Sequence, residues 1–268
     1  GQRYSISDLS LKTSAVTLVD PVYVKIGFEA DTGDNGLKCR VESSTRIHAN
    51  LKDDVYRIEN LQIKADLQGK TLPGGSAALK AAADIEFAAG PGRLKFTGVK
   101  LEAGGLSLPP HTATVVVESD GTGDLAAQVF DIPAFKAALN MTGGEDPITA
   151  NLTAKVRADL KAQKATVDAL QLEALGIKAT GGLAATKLQT VPQFTGTIAV
   201  APFNPKEILG RIIKDLPNMA DPAAMGIAEM TASLNGTADR VSLDALTVRL
   251  DDTRVEGNVA IHLKPAPA

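Results

Sequence analysis

The chain has 268 residues, with 28 Lys plus Arg against 31 Asp plus Glu and a formal net charge of −3. That length allows one or two domains with a sizeable core, and the weak acidity argues against a nucleic-acid binder, which needs a basic surface to displace counterions. Tryptophan is absent and aromatic residues make up 4 %, against a sugar-binding module that stacks its ligand on rings, and the single cysteine, Cys39, excludes an internal disulfide or a cysteine-based zinc cage.

No apolar run approaches the roughly 18 residues of a membrane span. The sequence begins at Gly1, and a targeting or anchoring segment is expected ahead of it.

A period of two runs through the chain, as in strands with one apolar and one wet face. Val22, Val24, Ile26, Phe28 and Ala30 alternate with Tyr23, Lys25, Gly27, Glu29 and Asp31. Leu61 to Leu67 repeats the pattern, while the Ala-rich stretch from Leu72 to Ala83 is compatible with loop, strand or short helix. At Gly98-Val99 the phase slips, and a bulge there would restore the facing. A short helix is predicted from Asp131, with Phe135 and Leu139 on one face and Phe130 stapled to Phe135.

The longest alternation, Ile148 to Leu160, is strict over thirteen residues. A second helix is predicted from Asn204-Pro205-Lys206-Glu207, which reads as an N-cap, a first-turn proline and a capping glutamate. Ile208, Leu209, Ile212, Ile213 and Leu216 form its apolar face, Phe203 its staple and Pro217 its end. Leu246 to Leu250 and Val255 to Leu263 alternate again, with a phase slip at Ala245-Leu246. One-sided alternation favours an antiparallel sheet.

The second half also repeats. Asp168-Ala169-Leu170 aligns with Asp244-Ala245-Leu246, and at that offset Leu172 meets Val248, Ala179 meets Val255 and Gly181 meets Gly257. Leu9-Ser10-Leu11, Leu61-Gln62-Ile63 and Val99-Lys100-Leu101 echo the same pattern. A helix-plus-strands unit that recurs predicts an elongated sheet growing by addition.

The residues specify no chemistry. His48, His111 and His262 lack metal-ligand spacing. Asp53-Asp54 and Asp251-Asp252 lack the further oxygen donors of a calcium loop and read as turns. So do Glu145-Asp146 and the Gly-rich pieces at Gly74-Gly75, Gly90 to Gly92, Gly104-Gly105, Gly121 to Gly123 and Gly143-Gly144. No Gly-x-Ser-x-Gly elbow occurs. The reading is therefore non-enzymatic, with no cofactor and no metal.

Leu250-Asp251-Asp252-Thr253-Arg254-Val255-Glu256-Gly257 resembles the turn that closes the repeat of the AsmA family. Phe203 to Leu209 is similar to its helix start, and Asp221-Pro222-Ala223-Ala224-Met225 to the family's next segment. Ile6 to Leu11 and Val24 to Phe28 look like part of its periplasmic region. The first repeat copy departs at Leu175-Gly176-Ile177, which lacks the Asp-Asp-Thr turn. The resemblance implies a periplasmic protein anchored in the inner membrane of Gram-negative bacteria by an N-terminal helix. It also implies a long curved sheet folded like a taco around an apolar groove, and a part in phospholipid transport to the outer membrane.

The expected fold is thus all-β, a long curved antiparallel sheet with two short α-helices, divided into a groove segment over 1–125 and a repeat region over 126–268. A one-faced apolar sheet must cover that face; it pairs with a second sheet or holds an apolar ligand. Small Ala and Gly side chains favour the ligand, a phospholipid or other apolar lipid, with Leu170, Leu172, Leu246, Val248, Leu250 and Val255 as its contacts. The rivals are a dry-packed scaffold in envelope assembly and a β-sandwich adhesin or sugar-binding module.

Overall fold

The computed structural model describes residues 5–16, 20–33, 36–144, 146–212, 221, 224–237 and 239–262. The protein is all-β, and it forms two units, 1–149 and 150–268. The first holds β1 (Ser5–Thr13), β2 (Val22–Asp31), β3 (Lys38–Asn50), β4 (Val55–Gln68), β5 (Ser76–Ala88), β6 (Arg93–Leu108), β7 (His111–Asp124) and β8 (Val129–Thr142). The second holds β9 (Ile148–Asp159), β10 (Lys164–Ala174), β11 (Ile177–Thr186), β12 (Gln193–Phe203), α1 (Pro205–Ile212), β13 (Ala228–Thr237), β14 (Arg240–Leu250) and β15 (Thr253–His262). Within each unit the strand order is the chain order, and neighbours pair antiparallel. Such a meander needs only short turns, because each strand finds its partner next in sequence.

Alternation becomes two chemically distinct faces. In the first unit Phe28, Val41, Ala65, Leu79, Ala103, Val115 and Leu139 stand opposite one another in a row across β2 to β8. The other face carries ion pairs between residues in register: Arg40 with Glu29, Arg57 with Glu86, Lys80 with Glu102 and Lys100 with Glu118. Each such exposed pair is worth little alone. Together they penalise a one-residue slip, which would turn every apolar side chain to water.

Both phase slips are bulges. The register shifts between Phe96 and Val99 in β6 and between Leu243 and Leu246 in β14. The extra residues, Gly98 and Ala245, are left-handed, with φ of 60° and 48°. Asn60 and Ala169 repeat this in β4 and β10, with φ of 52° and 51°. Each is followed by an apolar-x-apolar triplet, so the echoes in the sequence are bulge signatures. The bulge amide, which the ladder leaves unpaired, finds a side chain on the next strand. Asn60 N–H donates to Asp84 Oδ1 at 2.6 Å, Gly98 N–H to Asp120 Oδ1 at 2.7 Å and Ala245 N–H to Asn258 Oδ1 at 2.9 Å.

Three expectations are corrected. The helix from Asp131 does not form: β8 occupies Val129–Thr142, paired to β7, with Phe135, Ala137, Leu139 and Met141 on one face. The strand half of the repeat recurs, but its helix half does not. Gly104-Gly105 and Gly121 to Gly123 are not turns but lie inside β6 and β7. At Gly121 and Gly123 the space of a Cβ is taken by the cross-strand rings of Phe96 and Phe130. The Ala-rich stretch resolves into a short 3-10 turn, Pro73–Gly75, followed by β5. The segment 126–149, expected from the sequence to belong to the repeat region, contains β8 and so joins the first unit.

Among the described residues the apolar faces keep solvent contact at Ile26, Leu79, Leu101, Leu172, Leu250 and Val255. Among the described residues the buried apolar side chains are five alanines, at 77, 113, 154, 179 and 232, and Pro205 at the start of α1.

Candidate functional site

In the second unit the registers bring one apolar residue from every strand into a single row. Leu152 faces Leu172, Leu172 faces Ala179, Ala179 faces Val200, Val200 faces Met230, Met230 faces Val248 and Val248 faces Val255. Further along the strands, on the far side of the bulges, runs a second row: Val156, Val167, Leu183, Gly196, Leu234, Leu243 and Val259. The intervening positions point to the other face and are mostly polar, with Thr153, Gln171, Thr180, Thr231, Thr247 and Glu256 in one row. The result is an unbroken apolar strip across seven strands.

All six residues singled out in sequence belong to this face. Leu172, Val248 and Val255 share the first row, Leu170 and Leu246 flank the bulges at Ala169 and Ala245, and Leu250 lies toward the β14–β15 turn. They are exposed or half-buried: Leu172 is 39 % exposed, Leu250 37 % and Val255 58 %. The sequence reading leaves Leu152 out, because alternation alone does not assign its face, and does not include Ala179, Val200 or Met230; these four complete the row. Their alternation was visible, but only the pairing register assigns them to the same face.

The first unit has an open concavity of about 590 Å³. Ala30, Cys39, Leu67 and Ala77 face one another along its wall, and Ser5 of β1 and Gly105 of β6 both border it. Burial pushes the Cys39 thiol pKa up, with the nearby Asp66 carboxylate adding to the shift, which disfavours the nucleophilic thiolate.

α1 starts as its sequence dictates. Glu207 N–H donates to Asn204 Oδ1 at 3.2 Å, and Asn204 Nδ2 donates to Glu207 Oε1 at 3.3 Å, a reciprocal cap. Ile213, Leu216 and Pro217, the expected continuation and end, lie outside the described residues, as do Pro222, Ala223, Glu145 and Leu263. The helix joins β12 to β13 at the end of the unit where the β14–β15 turn sits. That turn holds the returning segment: Asp251 accepts from Met225 N–H at 2.7 Å and from Gly226 and Ile227 N–H at 2.9 Å. The Ile227 and Met225 amides, with that of Gly226, lower the Asp251 pKa below the usual carboxylate range.

Because folding lowers this pKa, the tether is at full strength above the ordinary carboxylate value. It is lost as pH falls through the lowered one. Protection of the Met225, Gly226 and Ile227 amides, measured against their intrinsic exchange rates at each pH, is therefore expected to fall only at acid pH, while in Asp251→Asn it is already reduced at neutral pH. Equal protection of these amides in the variant and the parent at neutral pH would refute the tether.

No family model, curated protein or solved structure matches this chain. Function therefore rests on what the face itself can do. Among the described residues no three His, Cys, Asp or Glu side chains cluster closely enough to hold a metal ion. The two rows consist of Leu, Val, Met, Ala and Gly residues. The face offers a broad strip of small and medium apolar side chains in contact with solvent, the chemistry of an acyl-chain surface.

Proposed function

We propose that this protein is a non-enzymatic lipid-binding and lipid-transfer module, acting in the periplasm in phospholipid transport to the outer membrane. The observation that carries the reading is the seven-strand apolar row from Leu152 to Val255, half-buried at Leu152, Val200, Met230 and Val248 and exposed at Leu172 and Val255. Each CH₂ removed from water gains about 0.8 kcal/mol, so acyl chains laid on the strip are retained. Chains sliding along the strip trade equivalent contacts, which is what transfer without covalent chemistry needs. The Ala and Gly positions among the larger residues leave room for a chain between side chains. The headgroup stays at the edge, in water.

The AsmA-like pieces of the sequence support the periplasmic setting and an inner-membrane anchor ahead of Gly1. The scaffold and adhesin readings both call for a second layer that buries the apolar face. Within the second unit Leu172 and Val255 keep more than a third of their surface.

The test is extraction of the purified protein into organic solvent, with lipids quantified by mass spectrometry. Phospholipid at or above one molecule per chain is expected. A folded protein that yields none leaves the scaffold reading in its place.

A further inference from the structure

The two ends of the second unit treat their cations differently. At the end with α1 and the β14–β15 turn, Lys178 pairs with Glu173, Arg249 with Glu229 and Arg254 with Glu256. At the other end lie the β9–β10, β11–β12 and β13–β14 turns. There Lys164, Lys187 and Arg240 make no ion pair among the described residues. Lys164 stands in one row of the polar face with Asp159, Thr186, Gln193 and Thr237, and Arg240 faces His262. The acids at this end are Asp159, whose carboxylate accepts from Ala162 N–H at 2.8 Å, and Asp239.

Apolar residues stand among these cations. Leu160 opens the turn that leads into Lys164 and is 37 % exposed; Val191 follows the turn begun by Lys187 and is 55 % exposed. Both turns are fixed by their own backbone, Gln163 N–H to Leu160 O at 3.3 Å and Thr190 N–H to Lys187 O at 3.1 Å. Exposed apolar tips ringed by cations match a surface with negative headgroups above hydrocarbon.

We infer that the turn end carrying Leu160, Lys164, Lys187, Val191 and Arg240 seats on the surface of an anionic lipid bilayer. A phosphate backbone would use the cations but gives Leu160 and Val191 nothing to enter, and the chain as a whole is acidic. The seating extends the proposed function by placing one end of the apolar strip against a source or sink of lipid. It does not require the strip to be filled, so it stands or falls separately from lipid retention.

The experiment is co-sedimentation of the full chain with two kinds of vesicle, phosphatidylcholine alone and phosphatidylcholine mixed equally with phosphatidylglycerol. Binding to the mixed vesicles alone is expected, weakening as salt is raised. The variant Lys164→Glu/Lys187→Glu/Arg240→Glu is expected to bind at least about tenfold more weakly. Lys178→Glu/Arg249→Glu/Arg254→Glu changes the net charge equally at the opposite end and is expected to bind within about twofold of the parent. Leu160→Ser/Val191→Ser weakens binding while keeping its salt dependence. Four results would overturn the inference: no binding to the mixed vesicles at low salt, equal binding to both kinds, equal loss in the two triple variants, or equally tight binding of a DNA duplex with the same sensitivity.

Discussion

Val248→Glu is expected to abolish lipid retention by the second unit while the chain stays folded. Val248 sits inside the row, between Met230 and Val255, so an acyl chain crossing the strip must pass over it. An ionised carboxylate under that chain loses water without gaining a partner, a penalty of about several kcal/mol. In the lipid-free protein position 248 is half-buried rather than buried, so the carboxylate can reach water and the cost to folding is at most about 1–2 kcal/mol. The control is its neighbour. Thr247 lies in the polar row with Thr231 and Glu256, and Thr247→Glu introduces the same charge one residue away on the opposite face. Lipid extracted from the three proteins separates the faces: the parent and Thr247→Glu yield the same amount, and Val248→Glu yields less. Equal lipid in a folded Val248→Glu protein means that the strip is not the binding surface.

Gly181→Ala is expected to destabilise the second unit by about 1–3 kcal/mol, read as a lower urea midpoint. A Cβ at Gly181 would overlap the carbonyl oxygen of Thr197 on β12, and a backbone atom cannot rotate away as a side chain can. Gly257 is its counterpart in the sequence repeat, yet a Cβ there meets nothing within 4 Å. The difference is position in the sheet. β11 has a neighbour on both sides, whereas β15 pairs with β14 alone among the described residues. Gly257→Ala is therefore expected to leave the midpoint almost unchanged. Equal effects of the two substitutions would contradict the close approach of β11 and β12.

Much of this architecture is legible in the sequence because a meander couples the chain to itself locally. The slips at Gly98-Val99 and Ala245-Leu246 mark bulges, since a period of two can change phase only where one strand gains a residue. The cap at Asn204 is equally local, with donor and acceptor three residues apart.

What failed is equally physical. Phe135 and Leu139 are four residues apart, a spacing that suits one face of a helix and one face of a strand alike. Ala137 between them and Met141 beyond belong to the period of two, but alanine is a weak marker of either state. Phe130-Asp131-Ile132-Pro133 imitates a helix start, while in the sheet Ile132 and Pro133 lie where β8 shifts register against β7, a place where proline's missing N–H costs no ladder bond.

Non-local facts left no trace. Nothing near Asp251 announces that its carboxylate serves amides about 25 residues upstream, and a pair of aspartates before a threonine is ordinary turn chemistry. The assignment of Leu152 to the face of Leu172 likewise needs the register between β9 and β10, which alternation in either strand alone does not contain.

The central claim is that acyl chains lie on the apolar face of the sheet. It is tested most directly by loading the protein with a phospholipid bearing a photoactivatable group in its acyl chain, irradiating, and mapping the adducts by peptide mass spectrometry. Adducts concentrated on Leu152, Leu172, Val200, Met230, Val248 and Val255, and rare on Thr153, Gln171, Thr231 and Thr247, are the expected result. Adducts shared equally between the two faces, or none on a protein that carries the lipid, would contradict it.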